Sequence, residues 1–328
     1  MKRYSIDALE QGVLAGDRRL LAKAISLVES TRAEDFGYGQ ELVERLLPLT
    51  GRARRIGITG VPGVGKSTFI EAFGMMLIGR GHHVAVLAVD PSSTRSGGSI
   101  LGDKTRMTAL SQYDQAFIRP SPSAGSLGGV ARRTRETILL CEAAGFDTVI
   151  VETVGVGQSE TAVATMVDFF LVLMLANAGD ELQGIKRGIM EAADAIVVNK
   201  ADGPFADAAR AAARKLVAAL RLLAPRYNDW TAPVLTCSAL EQTGIEDVWN
   251  TILSFFERTD SIERNRARQA QAWLHELLRD ELFALFNGNG DVAHLLPELE
   301  RDVVRGVRSP AAAAHTLLGV FKDSLERG

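Results

Sequence analysis

The sequence predicts an α/β protein with a mainly parallel central sheet, helices on both faces of that sheet, and helical extensions at both ends. Between about residue 54 and residue 257, short apolar segments of strand length alternate with longer segments of helix length. Such alternation is typical of a parallel sheet that binds its ligands at the carboxyl ends of the strands. The two flanking segments instead carry apolar residues at helical spacing.

The individual elements follow from the hydrophobic pattern. Each predicted strand is a short apolar run, and most are separated by a segment long enough for a helix. The predicted strands are residues 56–60, 84–89, 115–119, 148–152, 169–175, 195–199 and 233–237. The predicted helices between them are residues 67–80, 126–144, 182–193, 204–223 and 245–257.

The chain is predicted to have three parts. Residues 1–50 form an N-terminal helical extension, residues 51–257 form the α/β domain, and residues 258–328 form a C-terminal helical arm. Between Leu274 and Leu285 the arm carries leucines at the spacing of an amphipathic helix. From the residues alone, two interpretations of the arm stay open: a helical extension folded on its own α/β domain, or an arm for dimerisation.

Composition and charge favour an enzyme of the cytoplasm. The 328 residues are 46% apolar, which is enough for a substantial core, and the net charge of −3 gives no reason to expect nucleic acid as a partner. No apolar run has the length of a membrane span, and the first residues do not resemble a signal peptide. Cys141 and Cys237 lie in apolar segments and are predicted to be free thiols in a reducing compartment.

One segment predicts nucleotide binding more strongly than any other. It matches the phosphate-binding pattern G-x-x-x-x-G-K-[ST] and lies between a predicted strand and a predicted helix. In such a loop, backbone N–H groups and the dipole of the following helix surround the phosphates, Lys66 contacts the β- and γ-phosphates, and the Ser67 hydroxyl binds Mg²⁺. We therefore predict that the chain binds a nucleoside triphosphate. The predicted contacts are Gly60, Val61, Pro62, Gly63, Val64, Gly65, Lys66, Ser67 and Thr68.

A second pattern predicts that the base is guanine. The sequence Asn-Lys-Ala-Asp stands at the end of the sixth predicted strand. Asp202 can accept hydrogen bonds from the N1–H and the exocyclic amine of guanine, whereas adenine has no such pair of donors. Asn199 can hold the purine edge, and the Lys200 stem can lie along the ring face. The loop after the last predicted strand is expected to offer a backbone N–H to the guanine carbonyl from Ser238, Ala239 or Leu240.

Acidic residues near the ends of two other strands are candidates for a metal site. Asp90 follows the second predicted strand, Asp103 lies in the polar loop after it, and Glu152 ends the fourth. A carboxylate beside the phosphate-binding loop can ligate Mg²⁺ through water or orient the attacking water, although solvated loop carboxylates are the alternative interpretation. We predict Ser67 and these three carboxylates as metal ligands, and Lys66 with the same carboxylates as catalytic residues.

The turn that follows Glu152 is predicted to be a nucleotide-dependent switch. Gly155 lies in this turn and could donate its backbone N–H to the γ-phosphate. Such a loop is ordered by GTP and released after hydrolysis.

These motifs together resemble the MeaB/ArgK family of G proteins, which are chaperones of adenosylcobalamin-dependent acyl-CoA mutases. The resemblance spans about residues 40–260 and implies a P-loop GTPase domain of the SIMIBI-like class, which includes signal-recognition and metal-insertion GTPases and often works as dimers. Besides the phosphate-binding loop, it depends on Val-Asp-Pro-Ser-Ser at 89–93, Gly-Gly-Ser-Ile-Leu-Gly-Asp-Lys-Thr-Arg-Met at 97–107, and Glu-Thr-Val-Gly-Val-Gly-Gln-Ser-Glu at 152–160.

The resemblance also implies ligands and a partner. It implies GTP, GDP and Mg²⁺ as ligands, hydrolysis of GTP, a homodimer, and methylmalonyl-CoA mutase as the expected partner. In such systems the GTPase gates loading of the cofactor into the mutase and protects or rescues the mutase from inactivation. The segment 176–186 matches the family's additional switch, through which the mutase would stimulate hydrolysis, and Lys186 is its most suggestive residue, a further catalytic candidate.

Two alternative functions share the phosphate-binding loop. A metal-insertion accessory GTPase would need soft or imidazole ligands, yet the sequence has no C-x-x-C motif and five histidines in total. A transport-linked ATPase or kinase, as older names of some relatives suggest, is disfavoured by the guanine pattern ending at Asp202. Nucleotide competition and capture of an acyl-CoA mutase would discriminate among the three.

Overall fold

The computed structural model describes residues 4–89, 107–120, 127–153, 159–176, 187–223, 226–260 and 262–327. The chain divides into two compact units, Met1–Gln269 and Ala270–Gly328. Among the described residues, no helix combines the length and the apolar composition needed to span a bilayer.

The first unit contains a parallel sheet, as the sequence predicts. In the described part of the chain it has seven strands in the order β3-β2-β4-β1-β5-β6-β7, and every neighbouring pair is parallel. Each strand lies within two residues of its predicted bounds. The strands are β1 Arg54–Gly60, β2 Val84–Val89, β3 Ala116–Arg119, β4 Thr148–Thr153, β5 Phe169–Leu175, β6 Ala195–Asn199 and β7 Val234–Thr236.

Twelve α-helices are present among the described residues. Three precede the sheet, six lie between or directly after its strands, and three follow in the C-terminal part. They are α1 Ile6–Leu14, α2 Arg18–Val28, α3 Ala33–Leu46, α4 Lys66–Gly79, α5 Leu127–Ala143, α6 Ser159–Ala164, α7 Arg187–Ala192, α8 Ala206–Leu220, α9 Ile245–Arg258, α10 Ile262–Gly288, α11 Gly290–Val304 and α12 Pro310–Arg327.

Two apolar cores cover the two faces of the sheet. On one face, alternate strand residues such as Val149 and Val151 pack with the N-terminal helices and α5. On the other face, Ile56 and Ile58 pack with α4 and α9, where Trp249 is fully buried. Strands buried on both faces read as near-continuous apolar runs, which is why the sequence pattern identifies them.

The N-terminal helices are held by caps and by packing against the sheet domain. Ser5 accepts a hydrogen bond from the N–H of Ala8, and Asp17 caps α2 by accepting from two backbone N–H groups. Such caps stabilise a helix by about 1 kcal/mol each. Helices α1, α2 and α3 contact one another and α5, so this extension is part of the first unit.

Three strands are preceded by an aspartate that makes the same pair of hydrogen bonds at the amino edge of the sheet. An aspartate directly before the strand donates its backbone N–H to the carbonyl of a residue in or next to an adjacent strand. Its carboxylate accepts the backbone N–H of that same residue at 2.8–3.0 Å. This two-way contact fixes the register of each strand. The pairs are Asp147 with His83, Asp168 with Arg55, and Asp194 with Phe170.

A buried ion pair fixes the start of α10 to the same edge. Arg266 Nε and Nη2 lie 2.7 Å and 2.6 Å from the two carboxylate oxygens of Asp168, whose side chain is fully buried. The same guanidinium donates to the carbonyls of Gly51 and Ala53. A bidentate guanidinium–carboxylate pair with further hydrogen bonds to two carbonyls has a defined geometry, so this contact positions the start of the helix.

The second unit has its own small core. Val292, Leu299, Ala313 and Leu317 are buried between α11 and α12. On α10, by contrast, several large apolar side chains are at least half exposed. They are Leu274, Leu278, Leu282, Phe283 and Leu285.

Candidate functional site

The strand order predicts a ligand-binding crevice at the carboxyl edge of the sheet. β1 lies between β4 and β5, while β2 and β3 extend to one side and β6 and β7 to the other. After β1 the chain crosses to β2 on one side of the sheet, and after β4 it crosses to β5 on the other side. In open parallel sheets, ligands bind at such a point, beyond the carboxyl ends of the strands.

The predicted phosphate-binding loop lies at this crevice, between β1 and α4. Gly65 has φ +92°, and a side chain there would place Cβ 2.9 Å from the Asn199 amide nitrogen. Only glycine fits both requirements. Helix α4 begins at Lys66, and within the described part of the chain its N-cap, Gly65, provides no side-chain hydrogen bond to the first N–H groups. Uncapped N–H groups at a helix N-terminus attract anions, so the loop has the form of a phosphate site.

Lys66 is held inside the loop. Its Nζ donates to the Gly60 carbonyl at 2.6 Å and lies 3.3 Å from the Val61 carbonyl, and the side chain is buried. The ammonium therefore lies where the loop turns, beside the N-terminus of α4.

Ser67 and Glu152 meet across the crevice. The Ser67 hydroxyl donates to Glu152 Oε1 at 3.5 Å, and Glu152 is buried at the end of β4. Within the described ranges, no three His, Cys, Asp or Glu side chains form a metal cluster. Mg²⁺ keeps several waters and takes few protein oxygens, so a hydroxyl beside one carboxylate fits this ion.

Four predicted site residues lie outside the described residues. They are Asp90, Asp103, Gly155 and Lys186. Their roles stay predictions, as does the switch at 176–186, of which the structure describes Ala176 alone.

The Asn-Lys-Ala-Asp segment begins at the end of β6 and contacts the phosphate-binding loop. Asn199 is buried; its amide nitrogen donates to the Val64 carbonyl at 2.8 Å, and its oxygen accepts the Ala239 N–H at 3.1 Å. The Asn199 side chain therefore links the phosphate-binding loop to the loop after β7, a role that the sequence pattern did not indicate. Lys200, with φ 59°, extends its ammonium to the Gly63 carbonyl at 2.8 Å.

The loop after β7 is closed by its own hydrogen bonds. Ser238 and Thr243 exchange two backbone hydrogen bonds, and the Ser238 hydroxyl accepts the N–H of Glu241. Ser238 and Ala239 are buried, whereas Leu240 is 78% exposed at the tip. The loop therefore has a fixed shape next to Asn199.

Asp202, which the sequence predicts to contact the base, is half-buried three residues after the end of β6. Its carboxylate has no hydrogen-bond partner among the described residues. Burial, and secondarily the negative charge of Asp202, raises the pKa of the Cys237 thiol to about 12. The Asp202 carboxylate therefore lies within electrostatic range of Cys237, the residue that follows β7.

The sheet order, the phosphate-binding loop and the two base-site loops define the class: this is a P-loop GTPase fold. Comparison with known proteins gives the family. A family model described as methylmalonyl Co-A mutase-associated GTPase MeaB matches residues 21–291. The chain therefore belongs to the MeaB family, as the sequence motifs predict.

Individual relatives agree with this assignment. The Escherichia coli protein named GTPase ArgK is 50% identical over 279 residues, which cover 84% of each chain. A Mus musculus protein named methylmalonic aciduria type A homolog, mitochondrial, is 45% identical over 331 residues, covering 97% of this chain and 80% of that relative. A crystal structure of an LAO/AO transport system kinase aligns with TM-score 0.79 at 38% identity, covering 98% of this chain and 99% of that one.

Proposed function

We propose that this protein hydrolyses GTP and thereby acts as a chaperone of an adenosylcobalamin-dependent acyl-CoA mutase. It would gate loading of the cofactor and protect or reactivate the mutase. One observation supports GTP hydrolysis most directly. Asn199, in the predicted guanine-binding segment, is hydrogen-bonded to the phosphate-binding loop and to the loop after β7. The family description and the name of the mouse relative support a mutase partner, and methylmalonyl-CoA mutase in particular.

In this proposal the chain supplies charge and position. Lys66 and the N-terminus of α4 bind the β- and γ-phosphates, and Ser67 with Glu152 would hold Mg²⁺, joined by Asp90 and Asp103. When bound, the ion neutralises charge that develops on the phosphate oxygens. Phosphoryl transfer needs little else from the protein, because positioning and electrostatic stabilisation account for most of its catalysis.

A cytoplasmic location is part of the same proposal. The two cysteines, Cys141 and Cys237, are both free and buried. Free thiols of this kind are typical of proteins in a reducing compartment.

Guanine selectivity should depend on Asp202. Replacement by asparagine should weaken GTP binding by about 1–3 kcal/mol, because the amide cannot accept both base hydrogen bonds. Xanthosine triphosphate should compete better with the variant, since xanthine carries an oxygen where guanine has its amine. Titration of fluorescent nucleotides against wild type and variant measures both effects.

Asp207 provides the matched control for this experiment. It lies on α8 with a side chain that is 94% exposed, so Asp207→Asn should leave nucleotide affinity unchanged. GTP affinity that is undiminished in Asp202→Asn would contradict the assignment of the base site. Equal affinity for ATP and GTP in the wild type would favour the transport-linked ATPase or kinase instead.

The mutase should accelerate hydrolysis through the segment after β5. A partner that reports on the nucleotide must bind the GTP and GDP forms with different affinity. We propose that mutase docking orders residues 176–186 and completes the charge stabilisation that the isolated GTPase lacks. Intrinsic turnover should then be slow, and Lys186→Ala should lose most of the mutase-stimulated rate while its basal rate stays unchanged.

Side-by-side measurement of basal and methylmalonyl-CoA mutase-stimulated phosphate release tests this role. Lys215→Ala is the control, because Lys215 is an exposed lysine on α8. Equal stimulation of wild type and Lys186→Ala would make Lys186 a surface residue. If no acyl-CoA mutase stimulates or binds the wild type, the chaperone proposal fails while the GTPase proposal stands.

We also propose that the exposed apolar residues of α10 pair two copies of the chain. Leu274, Leu278, Leu282 and Leu285 recur at spacings of three and four residues and are each at least half exposed. Such a stripe on one helix face is typical of a helix–helix interface. The Leu278→Glu, Leu282→Glu double variant should have the mass of a monomer in light scattering, whereas Arg279→Glu should keep that of the wild type. A monomeric wild type would contradict the dimer.

A further inference from the structure

Two threonine hydroxyls meet at the carboxyl ends of β1 and β4. Thr59 Oγ1 and Thr153 Oγ1 are 2.7 Å apart, and either oxygen can be the donor. The two residues are 1% and 0% exposed, so water cannot replace this bond. Buried hydroxyls need a partner, and here each is the partner of the other.

The contact lies where the backbone pairing between these strands stops. The ladder of β1 and β4 runs from Arg54 and Thr148 to Ile58 and Glu152. Beyond that point Thr59 pairs with β5, and Thr153 pairs with β2. The hydroxyl bond therefore continues the connection between the two strands for one residue beyond their last backbone pair.

Each threonine adjoins a predicted nucleotide loop. Thr59 directly precedes Gly60, the first residue of the phosphate-binding loop. Thr153 directly follows Glu152 and precedes the segment that contains Gly155. Because side chains alternate along a strand, the threonine pair lies on the opposite face of the sheet from Glu152. The end of β4 is thus connected to the end of β1 on one face by the threonines, and to the first turn of α4 on the other face by the contact between Ser67 and Glu152.

We propose that the Thr59–Thr153 hydroxyl pair is a positioning element for GTP hydrolysis, an inference that depends on the proposed GTPase function. The bond fixes the distance between the phosphate-binding loop and the strand end that carries Glu152. Without it the two strand ends can move apart by a fraction of an ångström, and a misplacement of about 1 Å can lower a rate about 100-fold. Nucleotide affinity should change less than the rate, because the phosphate and base contacts remain.

Valine and serine substitutions separate positioning from stability. Thr153→Val keeps the shape of the side chain but leaves the Thr59 hydroxyl unpaired. This variant should lower the rate of single-turnover GTP hydrolysis about 10- to 100-fold and leave the Kd for GDP nearly unchanged. The Thr59→Val, Thr153→Val double variant should recover stability, since no hydroxyl is left unpaired, yet stay slow. The corresponding double serine variant keeps both hydroxyls and should hydrolyse GTP at close to the wild-type rate.

Thr148→Val is the matched control. Thr148 is a buried threonine at the other end of β4, where its hydroxyl donates to Asp147. This variant should change the urea midpoint and not the hydrolysis rate. A wild-type rate in the double valine variant, or a parallel loss of GDP affinity and rate, would overturn the positioning role. Absence of GTP hydrolysis in the wild type would overturn the proposed function and this role with it.

Discussion

Replacement of Lys66 by alanine is expected to reduce GTP hydrolysis to the background rate. The Lys66 ammonium lies inside the phosphate-binding loop, 2.6 Å from the Gly60 carbonyl and next to the first turn of α4. In the proposed mechanism its removal takes a full positive charge away from the position where negative charge develops on the transferred phosphate. Loss of one such stabilising group typically lowers kcat by about 100- to 1000-fold.

Single-turnover phosphate release at saturating GTP and Mg²⁺ measures this effect. Lys215→Ala again serves as the control for loss of a lysine charge. Circular dichroism should show that the Lys66→Ala variant keeps its helices, because this side chain contributes charge more than apolar packing. Unimpaired turnover in the variant would remove the assignment of the phosphate-binding loop.

The free energy of unfolding is expected to fall by about 3–5 kcal/mol when Arg266 is replaced by alanine. Asp168, whose side chain is fully buried, would lose the guanidinium that now contacts both of its oxygens. The carbonyls of Gly51 and Ala53 would lose the same donor. Removal of one member of a buried ion pair is costly because an uncompensated charge remains.

Urea unfolding of the full chain measures this loss. Arg210→Ala is the control, because Arg210 and Asp207 form an exposed pair whose loss should change stability by less than about 1 kcal/mol. Asp168→Asn in the Arg266→Ala background should restore part of the stability, since the amide carries no charge. A change below about 1 kcal/mol in Arg266→Ala would contradict the structural importance of the pair.

The elements that the sequence predicted best depend on local information. β5 is a continuous apolar run because both of its faces are covered, and the strand found at Phe169–Leu175 matches the predicted one. Gly65 and Lys66 belong to a motif whose spacing is set by the backbone geometry of one turn. Both could therefore be predicted from neighbouring residues alone.

The contacts that assemble the site join residues far apart in the sequence, so no local pattern predicts them. Asn199 reaches Val64, 135 positions away, and Thr59 reaches Thr153, 94 positions away. The strand order that brings these residues together depends on crossovers that hydrophobic periodicity does not encode. The local signals of the threonine pair are two polar residues at the ends of apolar strands, Thr59 before Gly60 and Thr153 after Glu152.

The aspartates directly before β4, β5 and β6 restrict where related chains can gain or lose residues. Each carboxylate is bonded to one residue at the neighbouring strand, so an inserted residue between the aspartate and its strand would separate the two. If the aspartate instead kept its contact, the strand would shift by one residue and its apolar side chains would turn to the wrong faces. An insertion before the aspartate is absorbed by the connecting loop. Gains and losses of residues during evolution are therefore expected upstream of Asp147, Asp168 and Asp194, and the spacing from each aspartate to its strand should stay constant.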